Sequence, residues 1–140
     1  MKPINTLLAI LFISLSSPSW SMTLGDLVER DGLYYEKFTD VPFSGEVTGG
    51  FWNEQGSFKN GKRDSTWVNY HNNGQLRDKG NYKKGKEEGA WVGYHKNGRL
   101  EYKGIYKNGS IEGPWVWYES DGSVFKFLTG TYKDDVKISD

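Results

Sequence analysis

Residues 82–105 read YKKGKEEGAWVGYHKNGRLEYKGI, and this 24-residue pattern recurs on both sides of the segment. Residues 58–81 read FKNGKRDSTWVNYHNNGQLRDKGN, and YKNGSIEGPWVWYESDGSV begins at residue 106. A tryptophan, a tyrosine and a turn glycine return in all three copies: Trp67, Trp91, Trp115, Tyr70, Tyr94, Tyr118, Gly74, Gly98 and Gly122. Self-similarity at a fixed period is typical of a chain built from stacked copies of one small unit. Such chains usually bind partners along a surface and seldom house a catalytic pocket.

The same period, counted in both directions, predicts the domain organisation. A degenerate first copy precedes the three clear ones, and the last copy carries two extra residues within 125–129. The atypical end units are expected to act as caps, because an open array would expose its stacking surface. The predicted repeat domain, 34–140, comprises units 34–57, 58–81, 82–105 and 106–131 and a stub at 132–140, with a lead-in or cap at 22–33.

Each unit predicts two strands separated by turns. Residues 67–71 are rich in β-forming side chains, and Asn73-Gly74 follows. Asn-Gly is a strong signal for a type I′ hairpin turn, which needs positive φ at both central residues. A second turn is expected at Asn60-Gly61, Lys84-Gly85 and Asn108-Gly109. With no helical period in residues 22–140, the sequence predicts an all-β fold, an elongated antiparallel meander of stacked β-hairpins.

The sequence permits two strand registers. A two-residue turn at Asn73-Gly74 places Trp67 opposite Gly80 and His71 opposite Leu76, and the same arithmetic places Trp91 opposite Gly104. A bulged turn would shift the pairing by one residue and exchange the faces. In either case Trp67 and Tyr70, three residues apart, point to opposite faces. Both faces therefore carry aromatic ladders, of which one forms the core and the other is a second packing surface or a binding surface.

The first 21 residues predict a secretory signal peptide. Lys2 supplies the positive charge, residues 7–15 are apolar, and small residues stand at Ser19 and Ser21. Cleavage near Ser21 would leave a periplasmic or secreted protein. An uncleaved N-terminal anchor is the alternative.

Composition restricts the functional classes. Without Lys2, 17 basic residues stand against 18 acidic ones, a balance that argues against a nucleic-acid partner. The chain has no cysteine, which excludes disulfides and thiolate metal sites, and no cofactor is expected. Aliphatic residues are sparse beyond the leader, so aromatic rings must supply most of the buried area, on the order of 150–250 Å² each.

The repeat resembles the MORN repeat, and more closely its bacterial variant in YwqK-family antitoxins. The matching motif is formed by Tyr82, Lys83, Gly85, Lys86, Gly89, Trp91, Tyr94, Asn97, Gly98, Leu100 and Gly104. The resemblance implies a sheet of stacked hairpins with a scaffolding or binding role and, through the antitoxin variant, neutralisation of a toxin. For an exported chain, immunity to an agent acting in the envelope fits better. Ser65, Lys37 and Trp52 depart from the motif, so the first two units form either a cap or a specialised surface.

Residues that could carry catalysis are better explained as structural. His71 and His95 occupy equivalent positions about 9–10 Å apart, two strand spacings, which is too far to share one metal ion. Acidic residues precede each tryptophan strand and are expected to be solvated turn residues: Asp40, Asp64, Glu88 and Glu112. No Ser-His-acid array or phosphate-binding loop appears. We therefore expect a protein without enzymatic activity.

The aromatic ladders supply the candidate binding surface. Trp115 and Trp117 share a strand face, and with Tyr118 and Tyr102 they form the predicted protein-binding patch, because interfaces favour Trp and Tyr. Trp67 and Trp91 are expected in the core. The alternative is a glycan- or choline-binding module, with rings stacked on sugars or caging a quaternary ammonium. The near-zero charge argues against a membrane surface, and the oligomeric state is left open.

Overall fold

The computed structural model describes residues 22–140, and the predicted signal peptide, 1–21, lies outside the described residues. The predicted antiparallel meander is confirmed: nine strands form one sheet in which each strand pairs with its neighbours in the chain, and the first two strands form a separate hairpin. The strands are β1 Leu27–Arg30, β2 Leu33–Glu36, β3 Gly45–Gly49, β4 Glu54–Lys59, β5 Lys62–Tyr70, β6 Leu76–Lys83, β7 Lys86–Tyr94, β8 Leu100–Lys107, β9 Ser110–Trp117, β10 Gly130–Lys133 and β11 Val136–Ser139.

The N-terminal residues cover one edge of the large sheet. A short 3-10 helix, Leu24–Asp26, leads into the β1–β2 hairpin, and Thr23 pairs in parallel with Thr48 on β3. The Thr48 amide donates to the Met22 carbonyl oxygen at 3.0 Å. Leu27 packs into the core, where burial of its apolar side chain fixes the hairpin. This packing protects the β3 edge from pairing with another strand.

The turns between repeat units are type I′, at the positions predicted from the sequence. Asn60 and Gly61 have φ of 51° and 76°, and the flanking Lys59 and Lys62 form the last pair of the β4–β5 ladder. The same pair of positive φ angles occurs at Lys84-Gly85, Asn108-Gly109 and Asp134-Asp135. These turns twist in the same sense as the strands, so they join adjacent units without splaying the sheet.

The turn within each unit is the bulged one of the two turns that the sequence permits. Gly74 has φ +82°, but Asn73 is not in the left-handed region, so the two-residue type I′ turn, one of the two turns that the sequence left open, is not formed. The His71 amide donates to the Gln75 carbonyl at 2.8 Å, and the Gly74 amide donates to the His71 carbonyl at 2.8 Å. The loop therefore has three residues, a turn closed by a left-handed glycine.

A β-bulge restores the register that the longer loop displaces. Tyr70 pairs with Leu76 and Asn69 pairs with Asp78, which leaves Arg77 as the extra residue. The pairing of His71 with Leu76, which a two-residue turn would give, is therefore not formed. Beyond the bulge Trp67 lies opposite Gly80, and Trp91 opposite Gly104 in the next unit, so those two predicted pairs are confirmed.

Aromatic rings form the core of the sheet, on what we call the ring face, the side that carries Trp67, Trp91 and Trp115. Each indole packs edge-on against a ring of the neighbouring strand, with centroids 5.0 to 5.9 Å apart. The three indoles are only 0%, 7% and 1% exposed. The predicted core role of Trp67 and Trp91 is therefore confirmed. In order along the sheet the ladder is Phe58, Trp67, Tyr82, Trp91, Tyr106 and Trp115.

Each indole of the ladder lies flat over a glycine of the adjacent strand. The Trp115 ring covers Gly104, and any Cβ on that glycine would overlap the indole. The Trp115 Nε1 group donates to the Ile105 carbonyl at 2.9 Å, which satisfies the one polar atom of the ring. Trp67 and Trp91 repeat the arrangement over Gly56 and Gly80. Glycine at these positions is therefore a packing requirement.

We predict that Gly104→Ala destabilises the protein by roughly 2–3 kcal/mol, because the added Cβ would displace the Trp115 indole from its position in a well-packed core. Gly113→Ala is the control. Its Cβ would meet nothing within 4 Å, so it should cost only about 1 kcal/mol for the left-handed backbone. Urea unfolding followed by tryptophan fluorescence measures both values. Equal losses in the two variants would contradict the seating of Trp115 on Gly104.

A second prediction concerns Ser65, which replaces the glycine found at Gly89 and Gly113. All three residues have positive φ, and Ser65 holds 61°. A left-handed conformation costs a residue with a Cβ about 1 kcal/mol, so Ser65→Gly should raise the free energy of unfolding by roughly 0.5–1 kcal/mol. Gly89→Ser should lower it by a similar amount. Urea titration tests both, and a less stable Ser65→Gly protein would refute the argument.

Candidate binding surface

The side of the sheet opposite the ring face carries alternating valines and lysines, and we call it the valine face. Its middle row crosses five adjacent strands, each residue being the Cα partner of the next. The row is Val68, Lys79, Val92, Lys103 and Val116. The valines are half-buried and the lysines exposed, because no described element packs against this face.

An apolar groove lies on the C-terminal half of the valine face. It has a volume of about 480 Å³ and runs over β7, β8 and β9. Ala90 and Pro114 are exposed, and Ile105 between them keeps 46% of its surface open to solvent. We call the surface formed by Ala90, Val92, Ile105, Pro114 and Val116 the apolar groove.

The equivalent position in the preceding unit is polar. There Thr66 Oγ1 donates to Asn81 Oδ1 at 2.8 Å, in the places of Ala90 and Ile105. The fold therefore does not require apolar side chains here. Sequence analysis missed the groove, although the alignment of Asn81 with Ile105 contains the signal. The sequence alone could not distinguish a residue of the open face from one of the core.

Three of the four residues of the predicted patch come together on the ring face. The Tyr102 ring lies 4.9 Å from Trp117 and 5.9 Å from Trp115, and the two indoles stack at 5.7 Å. Trp115 is buried, so it belongs to the core and offers no contact surface. Trp117 and Tyr102 are half-buried. The indole nitrogen of Trp117 is buried without a hydrogen-bond partner among residues 22–140.

Tyr118 lies apart from the other three. Strand alternation places it with Val116 on the valine face, and its carbonyl accepts a hydrogen bond from His95 Nε2 at 2.8 Å. The four predicted residues therefore do not form one continuous surface. Trp117 and Tyr102 alone remain as the accessible part of that patch.

The two histidines connect neighbouring units. His71 Nε2 donates to the Tyr94 carbonyl at 2.7 Å, as His95 Nε2 does to Tyr118. Asn73, two residues after His71, makes a similar link: its side-chain Nδ2 group donates to the Lys96 carbonyl at 2.8 Å. Within residues 22–140 no cluster of three or more His, Asp or Glu side chains has the arrangement of a metal site.

The four acidic residues that precede the tryptophan strands, Asp40, Asp64, Glu88 and Glu112, form hydrogen bonds or ion pairs with turns and neighbouring side chains. Glu88 accepts a hydrogen bond from the Asn108 amide at 2.7 Å, and Glu112 accepts one from the Asp134 amide at 3.2 Å. Asp40 pairs with Arg30 at 2.9 Å, and Asp64 accepts from the Ser65 hydroxyl. Each carboxylate has a structural partner. Asp64, Glu88 and Glu112 lie within strands β5, β7 and β9, so the prediction that they are turn residues is wrong for these three, whereas Asp40 lies between β2 and β3.

Asp78, which is not one of these four residues, is a buried carboxylate. Asp78 on the ring face accepts a hydrogen bond from the side-chain Nδ2 group of Asn69 at 2.5 Å and forms a salt bridge with Arg77 at 3.2 Å. The guanidinium of Arg77 also lies 4.0 Å from the Trp52 ring centre, so Trp52 supports this ion pair by a cation–π contact. Burial raises the pKa of the Asp78 carboxyl, although the Asn69 hydrogen bond and the Arg77 charge oppose the shift.

A comparison of the chain with known protein families found no match, and a comparison with curated proteins found no similar protein. Within residues 22–140 the structure has no helix long and apolar enough to cross a membrane.

The raised pKa of Asp78 makes a sign-specific prediction for stability. The folded protein holds this proton more tightly than the unfolded chain, whose carboxyl has the ordinary value of 3.8. The stabilising contribution of Asp78 is therefore complete below 3.8 and is lost as the pH rises through its higher folded pKa. The unfolding free energy of the wild type minus that of Asp78→Asn should fall across this window.

Asp121→Asn serves as the control of opposite sign. The hydrogen bond from the Ser123 side chain and then that from its amide lower the pKa of Asp121. Its wild-type-minus-variant difference should rise with pH up to about 3.8. Urea titrations from the most acidic pH at which the protein folds up to neutrality measure both. A difference for Asp78 that rises with pH would contradict the buried carboxylate.

Proposed function

We propose that the protein is a non-enzymatic repeat scaffold that binds another protein through the apolar groove of its valine face. The observation that carries the proposal is the exposed Ile105, which lies in the groove between Ala90 and Pro114. The core of the sheet is on the other face, so these side chains do not contribute to it. Exposed contiguous apolar surface marks interaction sites on soluble proteins.

Exclusion of water from the groove would supply the binding free energy. Burial of apolar surface contributes about 25 cal/mol per Å², so covering Ile105 and its neighbours favours association. The binding groups stand on regular strands, which hold them in place before the partner arrives. A preformed site loses little conformational entropy on binding.

The proposed biological setting combines the predicted leader with the MORN-like repeat. The leader directs the chain to the periplasm or the exterior, and the resemblance to YwqK-family antitoxins suggests an antitoxin- or immunity-like role. An exported protein meets its partner in the envelope. We therefore place the proposed partner among envelope proteins or agents that act there.

A glycan- or choline-type ligand is the second candidate, and the pair of Trp117 and Tyr102 favours it. Both rings are half-buried with centroids 4.9 Å apart, and aromatic faces stack on sugars or attract quaternary ammonium groups. The indoles of the ring ladder are too buried for this role. The ligand site would therefore be single.

We predict that Ile105→Lys abolishes capture of the protein partner, because a charge in the apolar groove cannot be desolvated cheaply. The measurement is cross-linked capture from the cell's own envelope fraction, followed by identification of the bound protein. Asn81→Lys, at the equivalent place one unit earlier, is the matched control and should retain the partner. Unfolding curves establish that both variants fold.

Trp117→Ala separates the two candidate functions. Retention of the protein partner in this variant, with loss in Ile105→Lys, places the interaction on the valine face. Enrichment of wall or choline-bearing material that Trp117→Ala loses supports the ligand function. Capture of the same protein by wild type and Ile105→Lys alike would overturn the groove as the binding site.

A further inference from the structure

We propose that the element docked on the valine face is an amphipathic α-helix of another protein, with two acidic side chains two helical turns apart. The helix would lie across the strands, its carboxylates on Lys79 and Lys103 and its apolar stripe on Val92 and the apolar groove. This inference rests on the proposed protein-binding function and adds the chemistry of the partner.

Two lysines set the charge pattern of the valine face. Lys79 and Lys103 are both Cα partners of Val92, one on each side, so they stand two strand spacings apart, about 9–10 Å. Both are exposed, and among the described residues neither forms a salt bridge. Half-buried valines and the exposed Ile105 around unpaired ammonium groups fit an acidic and apolar partner.

The spacing selects a helix over a strand. Residues i and i+7 on a helix share a face and lie about 10.5 Å apart along its axis, close to the separation of the lysines. Residues on one face of a strand recur at about 6.6 Å and 13 Å, and neither spacing matches. The positions i+3 and i+4 of the same helix face then fall between the lysines, where Val92 offers an apolar contact.

A second copy of this chain cannot supply such a helix from its described part. Residues 22–140 contain one 3-10 helix of three residues and no α-helix. Residues 1–21 contain no aspartate or glutamate. The acidic helix therefore belongs to a different protein.

An anionic membrane is the other surface that two lysines could meet, and the rim of the face opposes it. Glu88 is the Cα partner of Asn81, and Glu112 is the Cα partner of Ile105. Both glutamates therefore lie at the border of the valine face, about two residues along the strands from the lysine row. They would repel anionic headgroups on a flat bilayer. A helix is narrow enough to bring its own carboxylates to the lysine row alone.

Selection from a displayed library of helical peptides tests the proposal. The target is the protein expressed as residues 1–140, and the counter-selection uses the double variant Lys79→Glu and Lys103→Glu. The expected result is enrichment of peptides with Asp or Glu at i and i+7 and apolar residues at i+3 and i+4. The double variant should bind these peptides at least about tenfold more weakly, and Lys96→Glu, an exposed lysine in a turn, should leave affinity unchanged.

Charge reversal on both sides gives the decisive control. Peptides with Lys at i and i+7 should bind the double variant and should not bind the wild type. Selected peptides that require Ile105 but show no acidic spacing would overturn the helix inference and leave the proposed function standing. Selected peptides that bind equally to Ile105→Lys would overturn both. Adsorption to phosphatidylserine vesicles lost in the double variant, with no acidic peptides recovered, would assign the face to a membrane.

Discussion

The contact of an indole with a bare glycine backbone determines the rest of this structure. A single-layer sheet has no second layer to bury its side chains, so each tryptophan uses the adjacent strand as its packing surface. Gly56, Gly80 and Gly104 leave room for the rings, and the aromatic residue of the next strand covers each edge. The core is thus a continuous row of rings on one face of the sheet.

That division between the faces explains where function can lie. On the ring face a substitution disturbs packing, because Trp67 and Trp115 are almost entirely buried. On the valine face the backbone is already fixed by hydrogen bonds and turns, so side chains beside the constant row of valines and lysines can vary between units. The change from Thr66 and Asn81 to Ala90 and Ile105 is such a variation. Repeat architecture in general separates the residues that stack units from those that meet partners.

Sequence reasoning predicted the antiparallel meander and, as one of two registers, the pairing of Trp67 with Gly80, because glycine, asparagine and tryptophan impose local geometry. It left the loop at Asn73-Gly74 undecided, since Asn-Gly suits a three-residue loop with a final left-handed glycine as well as a type I′ turn. The compensating bulge at Arg77 has no composition signal of its own. The groove was missed because Ile105 is apolar, as core residues are, and only the face of the sheet on which it lies distinguishes it from them.

The order of the strands has a consequence for how the molecule is assembled. In the large sheet each strand contacts only the strands before and after it in the sequence, and the covered edge is at the N-terminus. Short-range pairing of this kind keeps the entropy lost on loop closure small and favours rapid folding. A chain that emerges N-terminus first from a ribosome or a translocation channel can therefore add its hairpins one at a time to a finished template, without waiting for its last residue.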